Sequence, residues 1–371
     1  MKRLLCIVSA MNTGGAETFL MKMYRSLDRK KYQMDFCVNS DENFYEQEIL
    51  KLGGKIYKIP AKSQNVRKWH QELKQVVREN GYQYVIRVCE HSLAVLDLLV
   101  AREGGAKQLI MRSSNTGSGS KKSTAIHKCF RFLPKTVPTV KLAPSTEAAE
   151  YTFGKGCVQR GEAFLLHNAI DTNVYCFNES GRERLRKELG LEDKFVVGHV
   201  GRFNQQKNHG FLIDVFREIH DRNPRARLVL VGKGELEEAV RQKVCALGLE
   251  EDVIFTGVRQ DIPQLLSAFD VFLFPSLYEG MPNTVIEAQA TGLQCVVSDT
   301  ITKEVDITDL IHFCSLQSSA SIWADACTRG ASANRSMYHD ALIEAGYDIR
   351  DVAPQFVKCV FEDDHQTSES V

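Results

Sequence analysis

No apolar run in this 371-residue chain approaches the roughly 20 residues that a membrane-spanning helix requires. No C-x-x-C pair occurs, and the eleven cysteines are odd in number and scattered. That pattern excludes a disulfide framework and points to a reducing compartment. There is no D-x-D motif and no His/Cys/Asp cluster at ligand spacing, so no metal is expected. The fingerprint G-x-G-x-x-G is missing after the first strand-like run, which removes the support for a nicotinamide site. The opening MKRLLCIVSAMNTGG has a basic start and an apolar run, but it is too short for a secretory signal and lacks a convincing cleavage site. It reads instead as the first strand of an α/β domain, and the expected location is cytoplasmic.

What is present is the composition of a soluble globular protein, 43% hydrophobic and 25% charged. The length exceeds what one hydrophobic core supports, so two domains are expected. Net charge is zero but uneven. Residues 1–170 carry 27 Lys and Arg against 15 Asp and Glu, and the remainder carries 20 against 32. Such asymmetry suits two domains with different partners. The basic half could face an anionic substrate or an anionic membrane surface, or simply be solvated. No nucleic-acid partner is expected.

Strand-like and helix-like segments alternate twice. RLLCIVSAM, YQMDFCVNS, KIYKIP, YQYVIRV and QLIMRSS are separated by helical spacings, among them Phe44–Leu52, Val66–Glu79 and Ser92–Arg102. A polar crossing over Asp171–Asp193 precedes a second series, KFVVGHVGR, ARLVLVGKG, DVIFTGV, DVFLFPS and QCVVSDT. Parallel sheets covered by helices produce this alternation. The expected architecture is α/β, two doubly wound Rossmann-like domains facing across a cleft: residues 1–170, residues 171–350, and a C-terminal helix and tail over 351–371, the tail disordered from about Asp363. Ligands belong at the carboxyl ends of the strands.

Four strand ends in the second series carry features that suit an anionic ligand. Arg202 ends one strand and Lys207 follows near the next helix start, a cation pair suited to a diphosphate. Gly232 and Gly234 bracket Lys233 at another, where backbone could approach a ligand closely. Val258 and Arg259 follow a third, where backbone could hydrogen-bond a planar base. At the fourth, DVFLFPSLYEGMPNTVIEAQATG places Glu279 and Glu287 on either side of a helix start near Pro282–Asn283. One acid could hold the hydroxyls of a sugar ring and the other those of a ribose, while the Gly280–Asn283 amides meet a diphosphate. In the first series, Gly14 and Gly15 follow strand one, either as a close-approach loop or as a plain strand-to-helix turn.

Glu279, seven intervening residues and Glu287 match the E-x7-E signature of the family-4 retaining glycosyltransferases, which have the GT-B fold. The chain resembles that family along nearly its whole length, through GGAE, LLHNAIDTNVYCF, VGRFNQQKN, LVLVGKG, VIFTGVRQDI and PSLYEGMPNTVIEAQATGLQCVVSDT. From SDTITKEVDIT through WADA to AGYD it is similar to bacterial members that build capsular polysaccharides and exopolysaccharides. The resemblance implies a hexosyltransferase that takes a sugar from a nucleotide sugar, most often a UDP-sugar, to a glycan acceptor that is usually lipid-linked. It implies that Arg202 and Lys207 bind the donor diphosphate, Glu279 the donor sugar and Glu287 the ribose. Gly14 and Gly15 would meet the donor phosphate or the acceptor, Met281, Pro282 and Asn283 would offer backbone, and the region of Arg259 would cover the base. A first-domain histidine often reaches the donor sugar in this family. The candidate here is His91 in RVCEHSLAV, where the usual histidine-rich context is altered, so a structural role stands beside the catalytic one.

The implied route is front-face substitution without a metal, with domain closure about 168–180 excluding water. The segment GSGSKKSTAIHKCFRFLPKTVPTVK interleaves Lys121, Lys122, Lys128, Arg131, Lys135 and Lys141 with Ile126, Phe130, Phe132 and Leu133. It suits either peripheral attachment to the inner face of a membrane or a solvated loop. Two rival readings remain, a non-catalytic nucleotide-sugar-binding protein and a GT-B-fold sugar-nucleotide epimerase.

Overall fold

The computed structural model describes the whole chain except Thr13, Glu90, His91, residues 115–126, 128, 129, 330–333 and 363–371. The sequence-read helix and loop over Asn115–Thr139 and the tail from Asp363 therefore lie largely outside the described residues. The chain divides into two compact units, residues 1–169 with 349–371, and Ile170–Asp348.

In the first unit, seven parallel strands run in the order β3-β2-β1-β4-β5-β6-β7. These are β1 Lys2–Ile7, β2 Tyr32–Val38, β3 Ile56–Lys58, β4 Tyr84–Cys89, β5 Gln108–Ser113, β6 Val140–Ala143 and β7 Phe164–Leu165. The central strands are apolar along both faces because helices cover both sides of the sheet. Leu4 and Cys6 enter one core layer, Leu5 and Ile7 the other. The helix Val66–Glu79 shows how the pattern works. Asn65 caps it by accepting from Lys68 N at 2.9 Å, and Trp69, Leu73 and Val77, four residues apart, are its buried stripe.

The C-terminal helix Ile349–Phe361 belongs to this unit instead of standing apart as the sequence suggests. Its Val352, Phe356, Val360 and Phe361 are buried in the first core. Phe356 meets Phe19 edge-on at 6.1 Å, and Phe361 lies 4.7 Å from Tyr32 and 5.2 Å from Tyr84. The amphipathic stripe is legible in sequence, but it does not say which core the stripe will cover.

The second unit holds six parallel strands in the order β10-β9-β8-β11-β12-β13. They are β8 Phe195–Val200, β9 Ala226–Val231, β10 Val253–Gly257, β11 Val271–Phe274, β12 Cys295–Ser298 and β13 Ile311–Cys314. Along β11 the side chains alternate, with Phe272 and Phe274 in one core layer and Val271 and Leu273 in the other. The chain enters and leaves this unit side by side. Ile170 N–H donates to Tyr347 O at 2.9 Å, Ile170 bridges to Asp348, and the Thr172 hydroxyl donates to the buried Asp348 carboxylate. Strand order reverses between β1 and β4 in the first unit and between β8 and β11 in the second, and such reversals are where ligands bind in open α/β sheets.

Candidate functional site

In the second unit the reversal brings together the loops leaving β8 and β11. After Val200 the chain passes Gly201 and Arg202 into a single 3-10 turn, Gln205–Lys207, and then the helix His209–Arg222. Asn204 Oδ1 accepts from Lys207 N at 3.1 Å and fixes the turn. Asn208 follows with φ 55° and ψ 44°, the only non-glycine in the left-handed region among the described residues, a conformation asparagine tolerates better than most. The two loops are laced to each other, since Leu277 N–H donates to Gln206 O at 2.8 Å and Gln206 Nε2 donates to Tyr278 O at 2.9 Å.

This lacing sets Lys207 against Glu279. Lys207 Nζ donates to Glu279 Oε1 at 2.6 Å, with the two side chains only 17% and 11% exposed. The ammonium also lies over the Phe274 ring, 4.4 Å from its centroid. The helix Asn283–Ala290 begins after Glu279, with Pro282 at its cap position and no side-chain cap. Val285 and Ile286 N–H both turn to Pro282 O, at 3.2 and 3.3 Å, so the amides of Asn283 and Thr284 are the ones left without a partner inside the helix, as at any helix N-terminus. Glu287 sits one turn in and is buried. Gly280, Met281 and Pro282 are buried as well, and Ser276 Oγ and Asn283 Oδ1 are buried without a hydrogen-bond partner.

The other sequence-read residues fall into three groups. Arg202 stands at the end of β8, but its side chain is 71% exposed and Nη2 pairs with Glu235 at 3.3 Å, so the two cations do not converge. Gly232 and Gly234 do allow close backbone approach, and what approaches is the chain itself. A Cβ on Gly232 would lie 2.1 Å from Gly201 O, and one on Gly234 would lie 2.3 Å from Phe203 O. The glycines let the β9 loop pack under the loop that carries Lys207, with Lys233 left exposed. Val258 is 45% exposed after β10, and the Arg259 guanidinium is closed on Asp261 through bonds of 2.8 and 2.6 Å, leaving backbone as what this loop presents. In the first unit Gly14 and Gly15 are exposed at the end of β1, Gly14 capping the helix Gly15–Ser26. His91 lies outside the described residues.

Sequence reasoning missed the imidazoles beneath Lys207. His199 interrupts an apolar strand, and that interruption was the available signal. It is fully buried, its Nδ1 donates to Leu273 O at 2.8 Å, and Nε2 has no partner. His209 stacks on Phe203 with centroids 4.1 Å apart, lies 4.8 Å from His199, and has neither ring nitrogen paired. Burial, with the Lys207 charge added, pushes His209 down to about 4 from 6.5. An unfolded His209 thus takes up a proton that the folded one refuses until about pH 4. Its contribution to stability is complete above pH 6.5 and is lost as pH falls from 6.5 towards 4, to a limit of about 3 kcal/mol. His209→Phe keeps the stack and removes the titration. Its melting temperature is expected to fall less than that of the wild type between pH 7 and 4.5, as measured by calorimetry.

A strand-order reversal, a lysine shared by a carboxylate and a ring face, and an uncapped helix start thus meet in the second unit. Comparison with known proteins gives the class. Residues 194–329 match the family described as "Glycosyl transferases group 1". Bacillus subtilis EpsF, which carries a provisional glycosyltransferase name, is 35% identical over 363 residues and 94% of each chain. An Escherichia coli UDP-Gal:α-D-GlcNAc-diphosphoundecaprenol α-1,3-galactosyltransferase is 36% identical over 139 residues, 36% of each chain. Among solved structures, Anabaena HepE in complex with UDP-glucose aligns with a TM-score of 0.79 at 19% identity, covering 96% of this chain and 99% of that one. The lipopolysaccharide glycosyltransferase WaaG aligns at 0.74 and 13% identity, covering 97% and 99%. The fold is GT-B. The chain belongs to the group 1 glycosyltransferases.

Proposed function

We propose that the protein is a retaining hexosyltransferase that moves a sugar from a UDP-sugar to a lipid-linked glycan during exopolysaccharide or capsule synthesis. The observation that carries this reading is the Lys207–Glu279 pair at the β8/β11 reversal, in the loop that leads into the helix bearing the buried Glu287. The names of the relatives support the donor and acceptor. The E. coli relative uses UDP-Gal and a diphosphoundecaprenol-linked sugar, and a Campylobacter jejuni relative, 30% identical over 135 residues, extends a diphospho-undecaprenol-linked glycan.

In this reading the second unit is the donor half and the first the acceptor half. The departing UDP gathers negative charge as the glycosidic bond breaks, and Lys207, Arg202 and the first amides of the helix Asn283–Ala290 offset it without a metal. Glu279 orients donor-sugar hydroxyls. A carboxylate already held by an ammonium at 2.6 Å is better placed for that than for attack on the anomeric carbon. Glu287 takes the ribose, and the backbone at Val258 and Arg259, with Gly280–Asn283, borders base and diphosphate. Gly14 and Gly15, with His91, are the first unit's contribution. Membrane attachment is supported by Phe130 and Phe132, 40% and 56% exposed beside the exposed Arg131 and Lys135. No helix among the described residues is long and apolar enough to cross a membrane.

Arg202 reaches the diphosphate by exchanging Glu235 for it, and an exposed ion pair of this kind resists by about 1 kcal/mol or less. Arg202→Ala is accordingly expected to lower kcat/KM for the donor by roughly 10- to 100-fold, the worth of a charge-assisted hydrogen bond. Glu235→Ala should lower the donor KM by up to about fivefold. Steady-state kinetics over a donor series checks both.

The reading as a whole is tested by incubating purified protein with a panel of UDP-sugars and polyprenyl-diphosphate-linked acceptors. UDP release and the anomeric configuration of the product, by proton NMR, are the readouts. Release from one donor with retention of configuration supports the reading. Inversion overturns the mechanism, and thermal stabilisation by UDP-sugars without turnover supports a binding-only protein instead.

A further inference from the structure

Lys207 has a neighbour that the reading above leaves without a role. Phe274 is the last residue of β11, fully buried, and its ring face lies under the Lys207 ammonium at 4.4 Å. The ring cannot turn away. His199 stacks on it at 5.6 Å and 27°, and Phe272 at 5.8 Å and 21°. His199 adds no competing positive charge, because its Nδ1 is committed to Leu273 O and its buried ring is neutral.

We propose that Phe274 is a positioning residue of the donor site, whose ring face holds the Lys207 ammonium where Glu279 and a donor phosphate can share it. An ammonium has three N–H groups, and Glu279 takes one at 2.6 Å. Without a fixed surface beneath it, a four-carbon side chain would follow the carboxylate or swing into water when a ligand arrives. The negative face of the ring attracts the cation in either state, so Lys207 can turn towards phosphate without leaving its place. The lacing of Gln206 to the Glu279 loop holds the stem from the other end. A leucine would fill much of the same space but would offer no such face.

The proposal rests on Lys207 being a donor ligand, and its test separates the two claims. Full-length protein is prepared with Phe274 replaced by 3,5-difluorophenylalanine and by pentafluorophenylalanine, rings of nearly the same shape with progressively weakened faces, and also as Phe274→Leu. UDP affinity is measured by titration calorimetry, with circular dichroism to confirm the fold. Affinity is expected to fall stepwise with fluorination, by on the order of tenfold for the pentafluoro ring. In a Lys207→Ala background the same replacements should have no effect, and a packing role would not produce that pattern. Affinity that is unchanged or tighter across the fluorinated series, in a wild type that binds UDP and is measurably weakened by Lys207→Ala, overturns the role of Phe274 alone. A wild type that binds no UDP overturns the donor-site reading beneath it. Should the fluorinated chains fail to fold, Phe274→Leu must show the affinity loss in the wild-type background and none in Lys207→Ala.

Discussion

Lys207→Ala and Glu279→Ala are each expected to reduce transfer from the UDP-sugar by at least about 100-fold in kcat/KM, for different physical reasons. In the proposed reading, removing the lysine deletes the cation that would meet the leaving diphosphate, so the loss should reach kcat. In the same reading, removing Glu279 deletes the group that would orient the donor sugar, and it takes away the ion-pair partner of Lys207. Stability separates these effects from misfolding. The pair is 17% and 11% exposed, so either single variant leaves a largely buried charge without its partner, at a cost of a few kcal/mol. The double variant leaves neither charge, and should be more stable than at least one of the singles while remaining inactive. Chemical denaturation of the four proteins beside donor kinetics gives both cycles. A double variant that recovered activity would show that the pair is structural only.

Gly232→Ala is expected to damage the site from a distance. Its backbone has φ of 138°, outside the range an alanine adopts readily, and the added Cβ would fall 2.1 Å from the carbonyl oxygen of Gly201. Neither side can give way easily, because Gly232 N–H donates to Gly257 O at 2.9 Å and Gly201 N–H donates to Val231 O at 3.0 Å. Relief must come from moving the loop that leads to Lys207. A destabilisation of about 3 kcal/mol or more is expected, with a fall in melting temperature of roughly 6–12 °C. Activity should drop in the fraction that remains folded. Gly248→Ala is the control, because Gly248 has φ of 66° but open space where the Cβ would go. It should cost about 1 kcal/mol and leave donor KM unchanged. Equal effects at the two positions would mean that backbone conformation, and not the contact with Gly201, decides.

Much of the second unit was legible because strand ends advertise themselves. A buried strand such as VFLF can stop only where the chain turns polar, and the turn after it carries Glu279 at the carboxyl end of the sheet whatever the details of packing. The helix start at Asn283 could be read from Pro282, and Glu287 follows one turn later. Side-chain direction was not legible. Arg202 and Lys207 look equivalent in sequence, yet Arg202 turns outward to Glu235, while Lys207 is drawn inward by Phe274 and Glu279, two neighbours supplied by a strand and its following loop some seventy residues away. The glycines of LVLVGKG signalled close approach correctly, but sequence could not say that the approaching backbone belonged to the protein's own neighbouring loop. The C-terminal segment was recognisable as a helix, and only the tertiary structure assigns it to the first core.

The measurement that tests the central claim most directly is a crystal structure of the protein with UDP. The account predicts the β-phosphate within hydrogen-bond distance of Lys207 Nζ and of the first amides of the helix Asn283–Ala290, Arg202 turned from Glu235 towards the diphosphate, and the ribose hydroxyls on Glu287. A nucleotide bound elsewhere, with Lys207 still closed on Glu279 alone and Glu287 away from any ribose, would contradict it.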